Sequence, residues 1–404
     1  MTVKHAVLVL LVIFGYRSGL AATPDTEWGR WLVEQVLMHP EVVSAREAMN
    51  ASLSMADGLL RPIYNPRLGG EFEREGEANN FSLGISQTFD WTNKQGVRQE
   101  QATYSREAAR QYYDIVLQQK NAEALQLLTE WRYAMNQAEL ALAQEAQLDT
   151  LINLVTQRQE AGDLGQIDVE LTLLSLSQRM NTSAQSLALL RDIEARLAEL
   201  LPTWTEELAQ IPESLWFAEP PEQTLWIDEH PLVLAARADW LVLQQAAELA
   251  AKITRPDPTF GINAGEINQE NLISLSFSIP LNIRNNYNAE ARAATQRALA
   301  AEANYRSVRR LQQFSIQSAQ NVRLEYQQRY ERWQDLMQGI EESSEGLLEA
   351  QWNAGDISTT EYLLALQQRA DGLSAGIELR TLYEMAKINW LQQTGQINDA
   401  LRQL

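Results

Sequence analysis

The side chains able to do chemistry are few. Three histidines and no cysteine stand in 404 residues. The missing cysteine excludes disulfides, thiolate metal sites, a cysteine nucleophile and a lipid-modified N-terminal cysteine. His39 and His230 each precede a proline at a helix start (His39-Pro40-Glu41-Val42 and His230-Pro231-Leu232-Val233). That repetition reads as a capping or packing residue, not as two ligands of one metal. No Ser–His–Asp set and no metal-ligand spacing occurs, so no enzymatic activity, metal site or cofactor is expected. Carboxylates dominate instead: 33 Lys and Arg face 53 Asp and Glu, a net charge of −20, which excludes nucleic acid as a partner. Two carboxylates have duplicated surroundings. Asp168 lies six residues after Gly162, and Glu361 six after Gly355, each in the first turn of a helix. Acidic residues there suit the helix dipole, and Ser358-Thr359-Thr360-Glu361 has the form of a capping box. Asp163 with Gln166 allows a similar cap.

The elements that position these residues come in two copies. His39–Ala102 and His230–Ala294 carry the same features in the same order. Helical stretches end at Arg61-Pro62 and Arg255-Pro256, where proline stops them. Asn65-Pro66-Arg67-Leu68 and Asp257-Pro258-Thr259-Phe260 follow, then two alternating runs. Pro66 to Pro258 is a shift of 192, and Ala161-Gly162-Asp163-Leu164 recurs as Ala354-Gly355-Asp356-Ile357 at a shift of 193. Two copies make a duplication, not a solenoid. The organisation expected is residues 1–21 as a secretory signal cleaved near Ala21 or Ala22, a first repeat over 22–200, a connector over 201–229 and a second repeat over 230–404. The signal is read from Lys4 and His5 before the apolar run Ala6–Gly15. The connector's Trp204, Trp216 and Trp226 are expected to pack it against the helices.

Each repeat reads helix, hairpin, long helix, turn, helix. Strands are expected at about 66–74, 81–90, 258–266 and 272–281. Phe81, Leu83, Ile85 and Phe89 alternate with small or polar residues, as do Ile273, Leu275, Phe277 and Ile279. A strand that is apolar on one face and polar on the other, long enough to cross a ~25 Å band when tilted, suits a transmembrane barrel with those apolar residues facing lipid. Tyr64 and Trp91, beyond the strand ends, suit an aromatic girdle. The stretches from about Gln95 to Glu160 and Ala289 to Asn353 lack proline, and a helix of ~65 residues is ~100 Å long. Each ends at an Ala-Gly-Asp turn, where glycine takes a left-handed cap. Four strands cannot close a barrel, eight leave an interior filled by side chains, and a water-filled passage asks for at least three chains.

With these features the chain resembles the outer membrane factor family, the TolC-like proteins, over essentially its mature length. The resemblance is carried by the paired strand starts at Asn65-Pro66-x-Leu68 and Asp257-Pro258-x-Phe260 and by the passages Ser86-Gln87-Thr88-Phe89-Asp90-Trp91 and Ser278-Ile279-Pro280-Leu281. It is carried also by the turns Ala161-Gly162-Asp163 and Ala354-Gly355-Asp356, with Ile167-Asp168-Val169 and Thr360-Glu361-Tyr362 beyond them. The Phe89-Asp90-Trp91 passage and short external loops look most like the cobalt–zinc–cadmium, heavy-metal efflux branch. The resemblance implies a mainly α fold with a homotrimeric 12-stranded β-barrel in the outer membrane and an α-helical barrel across the periplasm. It implies a passive exit duct for a tripartite pump, with a periplasmic adaptor and an inner-membrane transporter as partners. It implies that the turns at Gly162, Asp163, Gly355 and Asp356 contact the adaptor. It implies too that Asp168 and Glu361 sit at a periplasmic gate, where Leu364 stands in place of the family's frequent second acid. The competing reading is a periplasmic coiled-coil adaptor or structural protein without a channel.

Overall fold

The computed structural model describes residues 25–75, 78–217, 226–267, 270–338 and 345–403; the expected signal segment lies outside them. In chain order the elements are α1 (Asp25–Met38), α2 (Pro40–Leu59), β1 (Arg67–Glu75), β2 (Ala78–Thr88), α3 (Lys94–Glu160) and α4 (Gln166–Leu200). The short α5 (Ser214–Phe217) and α6 (Trp226–Glu229) follow, then α7 (Pro231–Ile253), β3 (Thr259–Ile267), β4 (Glu270–Ser278), α8 (Asn288–Gln338), α9 (Glu345–Ala354), α10 (Thr359–Gln393) and α11 (Ile397–Gln403). The 67 residues of α3 make a rod of ~100 Å. Both histidines start helices as the repeat suggested: the Nδ1 of His39 accepts the Glu41 N–H at 3.3 Å, and that of His230 accepts the Leu232 N–H at 3.2 Å.

The four strands form one antiparallel sheet in the order β1-β2-β3-β4. Its strand bounds differ slightly from the sequence expectation. The second strand begins at Ala78, because the pairing runs on to Glu75↔Ala78, and β4 ends at Ser278, two residues before Pro280. Proline has no N–H to donate to a ladder.

The main core lies where α1, the connector and α11 wrap the middle of the long helices. Trp28, Leu32, Leu125, Leu128, Leu197 and Trp390 are buried there. The connector is pinned by tryptophans: Trp204 meets Trp131 edge-on at 5.9 Å, Trp28 Nε1 donates to Leu208 O at 2.7 Å, and Trp31 Nε1 donates to Thr203 Oγ1 at 3.0 Å. The carbonyl of Trp216 accepts from Lys387 Nζ at 2.8 Å. The side chain of Trp226 lies outside what is described.

Candidate functional site

The sheet has two chemically opposite faces. By the ladder register, one face carries Leu68, Phe72, Phe81, Leu83, Ile85, Phe260, Ile262, Ile273, Leu275 and Phe277. The other carries Ser82, Gly84, Ser86, Gly261, Asn263, Ser274 and Ser276. The apolar face is bare: Leu275 is 82% and Ile273 79% exposed. Side chains of that size left in water over a whole sheet face need covering by lipid or protein. Phe89 extends the face beyond β2, stacked edge-on against Phe260 at 5.8 Å, and its N–H donates to Pro258 O. Ile279, beyond β4, is half-buried. Trp91 is exposed. Tyr64 differs from expectation: its hydroxyl turns inward and donates to Asp257 Oδ2 at 2.7 Å. The same oxygen accepts from Lys94 Nζ at 2.7 Å. Both charged residues are buried, and Lys94 also donates to Arg255 O at 2.9 Å. A buried pair of this kind is tolerable only because each partner has the other. It ties the first repeat to the second where sheet meets helices.

At the far end of the long helices the two turns are alike in detail. Gly162 and Gly355 have φ of +85° and +80°. The Asp163 N–H reaches back to Arg158 O and the Asp356 N–H to Gln351 O, both at 2.9 Å. This is the Schellman closure, and the left-handed glycine makes it possible. Asp163 and Asp356 are exposed at the tips.

Asp168 and Glu361 both serve as helix caps. Glu361 accepts the Ser358 N–H at 2.8 Å and returns its own N–H to Ser358 Oγ at 3.2 Å, a complete capping box. The Ser358 backbone bond first, then its hydroxyl, holds the Glu361 carboxyl below the usual range. Asp168 makes half a box: it accepts the Gly165 N–H at 3.1 Å, and a glycine has no side chain to reciprocate. The cap therefore uses Gly165 and Asp168 in place of Asp163 and Gln166, whose amide instead donates to Glu170. Leu364 is exposed one turn beyond the Glu361 cap.

The residues that join the two tips were not evident in the sequence. Trp352 lies 3% exposed, stacked on Tyr362 with ring centres 5.2 Å apart. The guanidinium of Arg158 sits 4.4 Å from the centre of the Trp352 ring and donates to Asn353 Oδ1 at 2.7 Å. Leu148, Leu151 and Val155 complete the cluster. The one available signal was a tryptophan at the repeat position that Gln159 fills in the first copy. Beside this cluster, α3, α4 and α10 enclose an open cleft of ≈ 230 Å³ lined by Gln144, Gln178, Arg179 and Gln367 with Leu148 and Leu366. Among the described residues no group of three His, Asp or Glu side chains is placed to hold a metal ion, and no helix is long and apolar enough to cross a membrane.

Solved structures of like architecture decide the fold. The outer-membrane channel OprN superposes with a TM-score of 0.76 at 16% identity, over 94% of this chain and 94% of its own. CusC, solved in a study of folding and transmembrane channel formation, gives 0.73 at 13% identity over 91% and 92%. The Neisseria gonorrhoeae MtrE outer membrane channel, in its open state, gives 0.72 at 14% over 92% and 88%. The fold is that of the outer-membrane channels. No family model and no curated protein sequence matches the chain.

Proposed function

We propose that the chain is an outer membrane factor, the exit-duct subunit of a tripartite efflux pump. Three copies close a 12-stranded barrel whose bare apolar face meets lipid and whose Ser, Gly and Asn face lines water. The ~100 Å α3 and the 51-residue α8 then hang into the periplasm with their partner helices as a second barrel. The tips at Gly162, Asp163, Gly355 and Asp356 receive the periplasmic adaptor, and an inner-membrane pump supplies the energy. The observation that carries this reading is the two-faced sheet mounted on paired long helices in the fold of known channels. A coiled-coil adaptor without a channel has no use for an apolar sheet face open to water.

Asp168 and Glu361 are the gate candidates in this reading, six carboxylates in a trimer, favouring cations. A cargo of heavy-metal cations is the finer form of the proposal, supported by those carboxylates and the charge of −20. Mass measurement of the detergent-extracted protein tests the architecture: a trimer from outer-membrane fractions is expected, and a stable monomer or dimer overturns it. An impermeant reagent should label a cysteine at position 163 (Asp163→Cys) from the periplasm only. Labelling on intact cells would reverse the topology.

A further inference from the structure

The two hairpins repeat each other residue by residue. Arg67 pairs with Ser86 and Thr259 with Ser278; Gly70 pairs with Leu83 and Ile262 with Leu275. A shift of 192 carries every pair of the first hairpin onto a pair of the second. Between the hairpins, β2 meets β3 in a register of its own, with Thr88 opposite Thr259, Ile85 opposite Ile262 and Phe81 opposite Glu266. Strands β1 and β4 are the sheet's two edges. Among the described residues no further strand pairs with either edge, and in the proposed barrel their apolar face lies in lipid. Such an edge requires another strand. Because the four strands alternate in direction, β4 of one copy can receive β1 of the next in the sense in which β2 receives β3.

We infer that the seam between copies has the β2–β3 register, transferred by the duplication. This rests on the proposal that copies of the chain close a barrel. The shift of 192 then sets Ser278 against Gly69, Phe277 against Gly70, Ser276 against Glu71 and Leu275 against Phe72 of the next copy. The side chains agree with this placement. Phe277 and Leu275 meet Gly70 and Phe72 on the apolar face, while Ser276 meets Glu71 on the polar one. Gly70 presents no side chain to the Phe277 ring, and a Cβ placed there would make only ordinary contacts, with Leu83 and Ser82 at 3.6 Å. Pro280 falls opposite Arg67 at the end of the seam, where a missing N–H costs least. A slip of one residue would mix the faces, but slips of two preserve them. Only the internal symmetry selects among those.

The chain has no native cysteine, so introduced ones report without background. Two double variants are made, Phe277→Cys with Gly70→Cys and Ser276→Cys with Glu71→Cys. Neighbouring antiparallel pairs alternate between Cα separations of ~4.5 and ~5.5 Å, and both lie within the ~4.4–6.8 Å that a disulfide spans. Oxidation in membranes should give covalent dimers and trimers on a non-reducing gel. The yield should be about ten-fold above that of the slipped pairs Phe277→Cys with Leu68→Cys and Phe277→Cys with Phe72→Cys, whose separation exceeds disulfide reach. Preferential linkage of a slipped pair overturns the register, and so does a trimer in which neither seam pair links. Native mass of the unoxidised variants in detergent is measured alongside. A monomer or dimer there removes the barrel reading itself, which separates that failure from a wrong register.

Discussion

The two ends of this molecule handle charge in opposite ways. Where the sheet meets the helices, Lys94, Asp257 and the Tyr64 hydroxyl are gathered in a buried cluster that joins the two repeats. At the tips, Asp168 and Glu361 cap helix ends in or near water, and the two repeats are joined instead by an aromatic stack under Arg158. A buried ion pair has one acceptable arrangement, because separating its members strands a charge away from water. An exposed cap loses one hydrogen bond and regains another from solvent. The junction is thus suited to staying fixed, and the tips to opening at lower cost, as the mobile ends of proteins are drawn from regions of low local stability.

The sharpest test of that contrast is to unbalance the junction. Asp257→Ala should destabilise each chain by about 3–5 kcal/mol, the cost of a buried charge left without its partner. Denaturant unfolding of the detergent-solubilised protein measures this. The paired change Lys94→Met with Asp257→Leu, which removes both charges, should recover most of the loss. A single variant as stable as the parent would mean that Lys94 reaches water and that the junction is no more fixed than the tips.

A comparable but more local loss is expected at the other end. Trp352→Ala removes the ring on which both Tyr362 and Arg158 rest, and buried tryptophans truncated to alanine cost about 3 kcal/mol or more. That cost should appear as faster hydrogen exchange and proteolysis near Gly162 and Gly355, with exchange of the sheet amides unchanged. If protection falls equally in the sheet, the tips are not a separately opening unit.

A third perturbation lies between the two ends. Burial holds the His230 imidazole below its ordinary pKa, so the unfolded chain binds the proton first as the medium acidifies. Stability is then complete above the ordinary histidine value near 6.5 and declines as pH falls below it. His230→Asn retains a good N-cap and should remove its share of that decline. An unchanged slope would assign the acid sensitivity to other groups.

How far these features were legible in the sequence depended on their reach along the chain. The glycines at 162 and 355, the histidine caps and the Ser358–Glu361 box each involve residues within about one helical turn, so their spacing alone displayed them. The strand faces were legible because alternation is a local pattern, and the duplication showed it twice. The Lys94–Asp257 pair joins positions 163 residues apart, and Arg158 meets Asn353 across 195. Nothing local marks such a partner. Asp257 stood in the repeat opposite Asn65, a change of charge no more conspicuous than Arg67 opposite Thr259 or Glu71 opposite Asn263. Tyr64 was assigned to the girdle for the same reason: its position beyond a strand end was visible, but the carboxylate it turns toward was not.

The smallest expected effect on stability carries the most information about the tips. Asp168→Asn and Glu361→Gln keep the shape of each side chain and an oxygen able to accept the capping N–H. Only the charge and its attraction to the helix N-terminus are lost, a modest and salt-screened contribution at an exposed site. The melting temperature of the double variant should therefore move little. Because the Glu361 carboxyl titrates below the usual range, its contribution is present at neutral pH and vanishes only as acid protonates it. Conductance should respond far more. If three copies bring these six carboxylates to one constriction, as proposed, neutralising them should lower cation preference in planar bilayers and weaken block by multivalent cations. A variant that keeps its selectivity but melts earlier would show that these carboxylates act only as caps. The stack of Arg158, Trp352 and Tyr362 would then be the structure left to hold the tips closed.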